Sequence, residues 1–275
     1  MSAQLICLWC ALGQLQPLPP ELIAFDSDEG RKLLLESKAS RDYFTLSTQF
    51  LTQKTQAFCG VASSVMVLNS LPIAAPDSPE LKPFRAFTES NVFNASLGPL
   101  DANFVGKGGL TVDQLATLLR GNHAEAEPHY AQDGDLEAFR SEVKRNLAEP
   151  ADFILVDFLR GELGQDTGAH WSPIAAYHEG SDRILVLDVA RFRYPPYWVK
   201  TEALFRAMNT IDLDSGKHRG WVSVRAAANA PARLEVPSVR HRILLLGTSV
   251  GGAIFAFGAV VGALVMRWRL RRKAG

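Results

Sequence analysis

Cys59 is the residue of this chain whose type and position best suit covalent chemistry. It follows an irregular polar stretch and precedes an apolar run that ends at Pro72, so we expect it in the first turn of a helix. The free N–H groups and the positive end of the dipole at such a place favour the thiolate, the nucleophilic form of cysteine. The alternative is a buried structural thiol, which would be the favoured interpretation if Cys59 were considered without its neighbours.

A glutamine six residues earlier supports the catalytic interpretation. Gln53 lies in a segment that we expect to fold back towards the helix end. There its side-chain amide can reach a developing oxyanion beside the backbone N–H of Cys59. The pair then has the two parts that acyl transfer requires, a nucleophile and an oxyanion donor.

A thiol nucleophile also needs a base and a group that orients the base. His170 opens a predicted strand after a glycine-rich turn, and Asp188 closes the next apolar strand, across the turn EGSD. If Tyr177 pairs with Ile184 in this hairpin, Asp188 lies opposite Pro173, at the same end of the ladder as His170. Each residue also has an ordinary explanation, as a half-buried histidine and a strand-end cap, but together they complete the set.

The elements that must position these residues divide along the chain. Apolar residues at helical spacing occupy the first half, at 29–37, 60–71 and 110–121. The last of these has Thr111 and Gln114 as a capping box. Alternating or continuous apolar runs occupy the second half, at 153–159, 170–178, 183–190 and 219–224. Helices followed by an antiparallel sheet predict one α+β domain, which we place at residues 21–225.

Composition narrows the class of protein. The chain has 275 residues, of which 47% are hydrophobic, and only three are cysteines. A disulfide-stapled miniprotein and a disordered chain are therefore excluded. The chain has 29 basic and 29 acidic residues, and this balance argues against a protein dominated by nucleic-acid binding. Five of the basic residues lie in 267–275, so the rest of the chain carries an excess of five negative charges.

Residues 243–266 predict a membrane anchor. They form an uncharged stretch of 24 residues, about 36 Å as a helix, against a hydrocarbon core of about 30 Å. A buried helix of a soluble core is the alternative. With an Ala/Pro linker at 226–242 and a basic, cytoplasmic tail at 267–275, the sequence predicts a single-pass membrane protein whose catalytic domain is periplasmic or extracellular.

An exported domain needs a leader, and residues 1–20 are the candidate. Their short apolar run lacks the preceding Lys or Arg of a signal peptide, and an inactive leader would leave the domain cytosolic. Cys7 and Cys10 lie in this run, and we interpret them as incidental apolar residues. Gly-x₃-Gly pairs within 243–266 allow close helix approach and suggest a homodimer.

At these residues the sequence resembles the phytochelatin synthase family, in its short bacterial-type form. The resemblance covers nearly all of residues 22–221 and is carried by long ungapped blocks, among them LIAFDSDEGRKLLLES, DYFTLSTQFLTQKTQAFCGVASSVMVLNSL, HWSPIAAYH, LDVARFRYPPYWV and DLDSGKHRGWV. It implies a papain-like cysteine peptidase fold, with Cys59, His170 and Asp188 as the triad and Gln53 at the oxyanion.

The implied activity is that of a glutathione γ-glutamylcysteinyltransferase. Glutathione is cleaved at its Cys–Gly bond, glycine leaves, and a γ-glutamylcysteinyl thioester forms. Water hydrolyses this thioester, or a second glutathione accepts it to give phytochelatin. Short bacterial-type members act chiefly as peptidases, and the sequence leaves the partition between the two outcomes open.

The resemblance also implies residues that bind substrate. Arg219 can hold the γ-glutamyl carboxylate in a bidentate fork, and Asp212 can hold the ammonium. Arg191, Arg193 and Tyr194 match positions linked to the acyl acceptor, and a solvated basic strand end is the less favoured alternative. Arg193 stands where the family commonly has lysine.

The expected partners are glutathione and its metal complexes, membrane lipid at 243–266, and no nucleic acid. No tightly bound cofactor is expected, since Cd²⁺ or Zn²⁺ would enter as a glutathione thiolate complex. His123, Glu125, Glu127 and His129 could bind such an ion, but a solvated acidic loop is the favoured interpretation. The alternative function is a non-catalytic, membrane-anchored thiol or metal receptor.

Overall fold

Seven strands and seven α-helices form the part of the chain that the computed structural model describes, residues 15–233. The strands are β1 (Ile23–Ala24), β2 (Ala124–Tyr130), β3 (Asp152–Leu159), β4 (Ala169–His178), β5 (Arg183–Val186), β6 (Tyr197–Lys200) and β7 (Gly220–Ala226). The helices are α1 (Asp28–Glu36), α2 (Arg41–Ser47), α3 (Cys59–Ser70), α4 (Ala102–Gly108), α5 (Val112–Arg120), α6 (Leu136–Asn146) and α7 (Thr201–Met208).

All seven strands join one antiparallel sheet in the order β1-β6-β5-β4-β3-β7-β2. The three helices that the sequence predicts are present as α1, α3 and α5 and precede the central strands in the chain, and the α+β class is confirmed. The papain-like likeness stays a prediction. The predicted strand at 183–190 ends earlier, at Val186.

Two apolar layers hold the helices against the sheet. Helices α3 and α5 pack on one face, and α6 and α7 pack on the other. Alternate residues of β3 serve the two layers, Leu155 in the first and Val156 in the second, and both are fully buried. A strand covered on both faces is apolar at almost every position, which explains the continuous run FILVDFL.

The ends of two helices matter for the site. Helix α5 begins with the predicted capping box, since Gln114 N donates to Thr111 Oγ1 and Thr111 N donates to Gln114 Oε1. Helix α3 has Phe58 at its N-cap and no side-chain hydrogen bond there. Its first turn therefore keeps backbone donors that no capping side chain satisfies.

The β4–β5 hairpin contains a bulge that the sequence did not predict. Tyr177 pairs with Ile184 as expected, but the register shifts by one between Ile174 and Ala176. Because β4 has one extra residue at this point, the residues that follow Leu185 lie opposite β4 residues one position earlier than expected. Asp188 consequently lies one residue closer to the start of β4 than predicted.

The predicted membrane anchor must be corrected. Among residues 15–233 no helix is long and apolar enough to cross a membrane. The longest, α3, has 12 residues, against about 20 for a spanning helix. The stretch 243–266 itself lies outside the described residues, as do most of the leader and the basic tail. The predictions of a membrane anchor, of a lipid contact and of a periplasmic or extracellular location are therefore withdrawn.

The beginning of the predicted linker packs against the domain. Ala74 N donates to Pro231 O at 2.7 Å, and Arg233 N donates to Pro72 O at 3.1 Å. These bonds fasten residues 231–233 along the segment that follows α3. Residues 234–242 of the predicted linker lie beyond the described range, so the predicted domain boundaries stay predictions.

Candidate active site

Cys59 is the first residue of α3 and is buried. Burial raises the pKa of its thiol to about 11, although backbone N–H groups of Trp171 and Gly60 act in the opposite direction. The thiol therefore lies against the backbone of Trp171, the residue after His170 in β4. The helix end alone does not produce the thiolate expected from the sequence, because desolvation outweighs it.

His170 and Asp188 are in contact. His170 Nε2 lies 2.9 Å from Asp188 Oδ1 and 2.9 Å from Ser172 Oγ. Both the imidazole and the carboxylate are almost completely buried. The bulge in β4 brings the carboxylate to this position, since Leu187, rather than Asp188, lies beside Pro173. With Nε2 engaged, Nδ1 is the ring nitrogen left to serve a thiol.

The charges of this pair follow from burial and from Arg160. Burial lowers the pKa of His170 to about 4, helped by the Arg160 guanidinium and opposed by Asp188. Burial alone would raise the pKa of Asp188, but His170 and Arg160 bring it down to about 2. At neutral pH the carboxylate is ionised, the imidazole is neutral, and Cys59 is a thiol. A neutral imidazole is the form that can accept a proton.

Gln53 is fixed next to this pair. Its backbone N–H donates to Val189 O at 3.0 Å, one residue beyond Asp188. Its side-chain Nε2 donates to Thr55 O at 2.7 Å and to Gln56 O at 3.1 Å, while Oε1 is buried without a hydrogen-bond partner. The amide must release one of these carbonyls before it can donate to an oxyanion, and that role stays a prediction.

Arg219 and Asp212 lie near each other in a second buried cluster. The Arg219 NH2 nitrogen is 4.0 Å from Asp212 Oδ1, and NH1 donates to Thr210 Oγ1 and Ile211 O. A third member, Asp157 of β3, was missed by sequence reasoning: its Oδ1 lies 3.8 Å from Arg219 Nε. An acid inside the apolar run FILVDFL was the available signal, because a buried strand position rarely holds a lone carboxylate.

Arg160 is the other residue that sequence reasoning missed. It follows β3, is 2% exposed, and donates from NH2 to Asp188 Oδ1 at 2.9 Å. An arginine just after a strand suggests a solvated end, so the sequence offered no signal for its burial. The carboxylate of Asp188 thus has a cation on one side and the imidazole on the other.

Comparison with known proteins finds a matching family model. The Phytochelatin synthase family model matches residues 14–221. The chain belongs to that family. This confirms the resemblance read from the sequence blocks around Cys59, His170 and Asp188.

Three relatives illustrate the similarity. Glutathione gamma-glutamylcysteinyltransferase 3 of Lotus japonicus is 35% identical over 82% of this chain and 46% of its own length. The glutathione gamma-glutamylcysteinyltransferase of Schizosaccharomyces pombe is 32% identical over 77% of this chain and 52% of its own. Glutathione gamma-glutamylcysteinyltransferase 1 of Arabidopsis thaliana is 33% identical over 79% and 44%. The chain spans about half the length of these relatives.

Of the three residues that the family resemblance assigns to the acceptor, Arg193 and Tyr194 meet at Asp166, whereas Arg191 lies elsewhere. Arg191 is exposed and lies over the ring of Phe50, 4.7 Å from its centroid. Arg193 lies 3.8 Å from Asp166. Tyr194 is buried, and its hydroxyl donates to the side chain of Gln16 and accepts from Asp166 N. Their acceptor role stays a prediction, and Tyr194 presents no free hydroxyl for it.

The segment that contains Glu125, Glu127 and His129, interpreted from the sequence as a solvated acidic loop, is an edge strand. Within β2, Glu125 pairs with Arg225 and the His129 ring stacks on Trp221. Glu125, Glu127 and His129 border a cavity of about 290 Å³. In the part of the chain that the structure describes, no group of three or more His, Cys, Asp or Glu side chains is arranged to hold a metal ion.

Proposed function

We propose that this chain is a cysteine-dependent γ-glutamylcysteinyl hydrolase and transferase that acts on glutathione. The observation that carries the proposal is the buried His170–Asp188 contact of 2.9 Å, together with the Cys59 thiol that lies against the backbone of Trp171, the residue after His170. Membership of the phytochelatin synthase family and the names of its relatives support glutathione as the substrate.

In the first half-reaction the Cys59 thiol attacks the carbonyl carbon of the Cys–Gly peptide bond. His170 takes the thiol proton and gives it to the glycine nitrogen as the C–N bond breaks. Asp188 holds the imidazole in place and stabilises the imidazolium. The backbone N–H of Cys59 and the amide of Gln53 donate to the oxyanion. Glycine leaves, and γ-glutamylcysteine remains as a thioester.

In the second half-reaction a nucleophile replaces the sulfur of Cys59. His170 removes a proton from water, or from the α-amino group of a second glutathione, and returns it to the thiolate. Water gives γ-glutamylcysteine, and glutathione gives phytochelatin. A heavy metal ion enters in this proposal as part of the substrate, bound by glutathione thiolates, and not as a resident cofactor.

The γ-glutamyl group is a zwitterion, and the second buried cluster suits it. In the proposal Arg219 binds the carboxylate and Asp212 the ammonium. Both side chains are largely buried, at 8% and 13% exposure. Low exposure strengthens such charge pairs relative to water.

The variant Cys59→Ala tests the chemistry directly. We expect it to abolish glycine release from glutathione, measured by mass spectrometry, because no other described residue is a cysteine. Serine at the same position controls for packing. Undiminished release by Cys59→Ala contradicts the proposal, as does glutathione binding without turnover in the wild type. Products made with and without Cd²⁺ separate the two outcomes, since only transfer gives chains longer than γ-glutamylcysteine.

A further inference from the structure

Arg160 makes close contacts that the proposed function does not use. Its side chain leaves the 3-10 turn Arg160–Leu163 at the end of β3 and is 2% exposed. NH2 lies 2.9 Å from Asp188 Oδ1 in a hydrogen bond, and 2.8 Å from Oδ2 outside hydrogen-bond geometry. NH1 donates to Gln165 Oε1 at 2.6 Å.

Aromatic rings fix the plane of this guanidinium. Its central carbon is 5.1 Å from the ring centroid of Tyr194 and 5.9 Å from that of Phe158. Tyr194 is itself held at its hydroxyl by Gln16 and Asp166. The guanidinium therefore donates hydrogen bonds to Asp188 and Gln165 and lies near the rings of Tyr194 and Phe158. These contacts leave it poorly placed to bind a substrate.

We propose that Arg160 is a positioning residue for the His170–Asp188 pair. It holds the carboxylate in place and balances its charge, so that His170 has a fixed partner but remains a neutral base until it receives the thiol proton. The reaction itself rests on the proposed function, whereas the effect on His170 does not require any substrate.

The electrostatic argument compares His170 with and without the buried cation. A bare carboxylate at 2.9 Å favours the imidazolium, whereas a carboxylate paired with a guanidinium favours it less. The charged and titratable groups around the imidazole are Asp188 after β5, Arg160 after β3, Arg193 in the loop beyond Asp188, Tyr197 of β6 next to the carboxylate, and the Cys59 thiol of α3. Of these, Arg160 opposes imidazolium formation most strongly, ahead of Arg193.

Histidine NMR titration of the full chain without glutathione tests the inference. Arg160→Gln is expected to raise the pKa of His170 by about one unit or more, and Arg160→Lys, which keeps the charge, to leave it within about half a unit of the wild type. His170→Gln assigns the signal. An unchanged pKa in Arg160→Gln overturns the proposal.

Arg160→Gln leaves the buried carboxylate of Asp188 without its cation and could prevent folding. A second comparison avoids this problem. Asp188→Asn and the double variant Arg160→Met/Asp188→Asn both lack that carboxylate, and they differ only in the cation. The double variant is expected to show the higher pKa at His170, and equal values contradict a charge effect of Arg160.

Glycine release then separates positioning from substrate binding. Arg160→Gln is expected to lower kcat roughly tenfold or more, to move the acidic limb of the pH profile to higher pH, and to leave KM within about twofold. A raised KM with an unmoved limb contradicts the positioning role. Absence of glycine release by the wild type would instead defeat the proposed function and leave the NMR test intact.

Discussion

Two buried arginines face aspartates in this chain, and they do so at different distances. Arg160 lies within 2.9 Å of both oxygens of Asp188. Arg219 lies 3.8 Å from Asp157 and 4.0 Å from Asp212, too far for hydrogen bonds. Arg219 Nε and Asp157 Oδ1 are buried atoms without a hydrogen-bond partner. We call the first set the tight cluster and the second set the loose cluster.

The difference in distance suits the two clusters to different roles, the orientation of the base and the binding of a ligand. The tight cluster is organised before any ligand arrives, as the orientation of a base requires. In the tight cluster Asp188 Oδ2 lacks hydrogen-bond geometry but lies 2.8 Å from the Arg160 guanidinium. In the loose cluster Arg219 Nε and Asp157 Oδ1 are buried without a hydrogen bond and lie 3.8 Å apart, which costs free energy. A ligand that brings both an ammonium and a carboxylate can recover part of that cost. We therefore expect variants of the tight cluster to lower kcat and variants of the loose cluster to raise KM.

The largest effect is expected for Asp188→Asn in the tight cluster. An asparagine cannot match the charge of Arg160, and its amide nitrogen would present N–H groups to that guanidinium or to His170. We expect kcat for glycine release to fall by between about 10²- and 10⁴-fold, with KM little changed. Ser172→Ala, which removes the other partner of His170 Nε2, is the matched control and should lose far less. A loss of less than tenfold in Asp188→Asn would contradict the orienting role.

A smaller effect is expected for Arg219→Lys in the loose cluster. The bonds of NH1 to Thr210 and Ile211 hold the guanidinium fork in place, and lysine cannot reproduce a fork. We expect KM for glutathione to rise roughly tenfold, with kcat within about threefold. Arg225→Lys is the control, since Arg225 is exposed and pairs with Glu125 on the neighbouring strand β2. Unchanged KM in Arg219→Lys would remove this arginine from the substrate pocket.

Much of the scaffold could be predicted from local signals. Periodicity and the Thr111 capping box were sufficient for α5, and the Tyr177–Ile184 pair followed from the turn between β4 and β5. The proximity of His170 and Asp188 followed from that same pair. These features depend on residues close together in the chain, where propensity and turn chemistry act directly.

The rest depends on contacts between distant segments. The bulge in β4 changes which residue faces Asp188. Pro173 is a residue type that strands accept at bulges, but it does not define where the register shifts. Arg160 and Asp157 are charged residues buried by tertiary packing, and a single sequence cannot distinguish them from exposed ones. Segment 124–130 is a strand because it pairs with β7, nearly a hundred residues later. The predicted membrane anchor falls on 243–266, outside the described residues, and no helix within 15–233 is long and apolar enough to cross a membrane.

The smallest effect on activity is expected for Asp157→Asn, the counterpart of Asp188→Asn in the loose cluster. Burial raises the pKa of Asp157 well above its usual value, although Arg219 opposes the shift. This carboxyl therefore tends towards its neutral form, which asparagine resembles, and we expect both kcat and KM for glycine release within about threefold of the wild type.

Stability gives the sharper measurement for that variant. A carboxyl whose pKa is raised on folding binds more protons in the folded state, so its contribution to the free energy of unfolding decreases as pH rises above about 4. Asparagine does not titrate, and Asp157→Asn should accordingly gain thermal stability relative to the wild type between pH 5 and pH 8, with the gain increasing with pH. Asp188 has a lowered pKa and is ionised throughout this range. Asp188→Asn should therefore be less stable than the wild type at every pH between 5 and 8. Thermal unfolding of both variants across that range decides the point, because a parallel response of the two would mean that the clusters do not differ in the charge state of their aspartates.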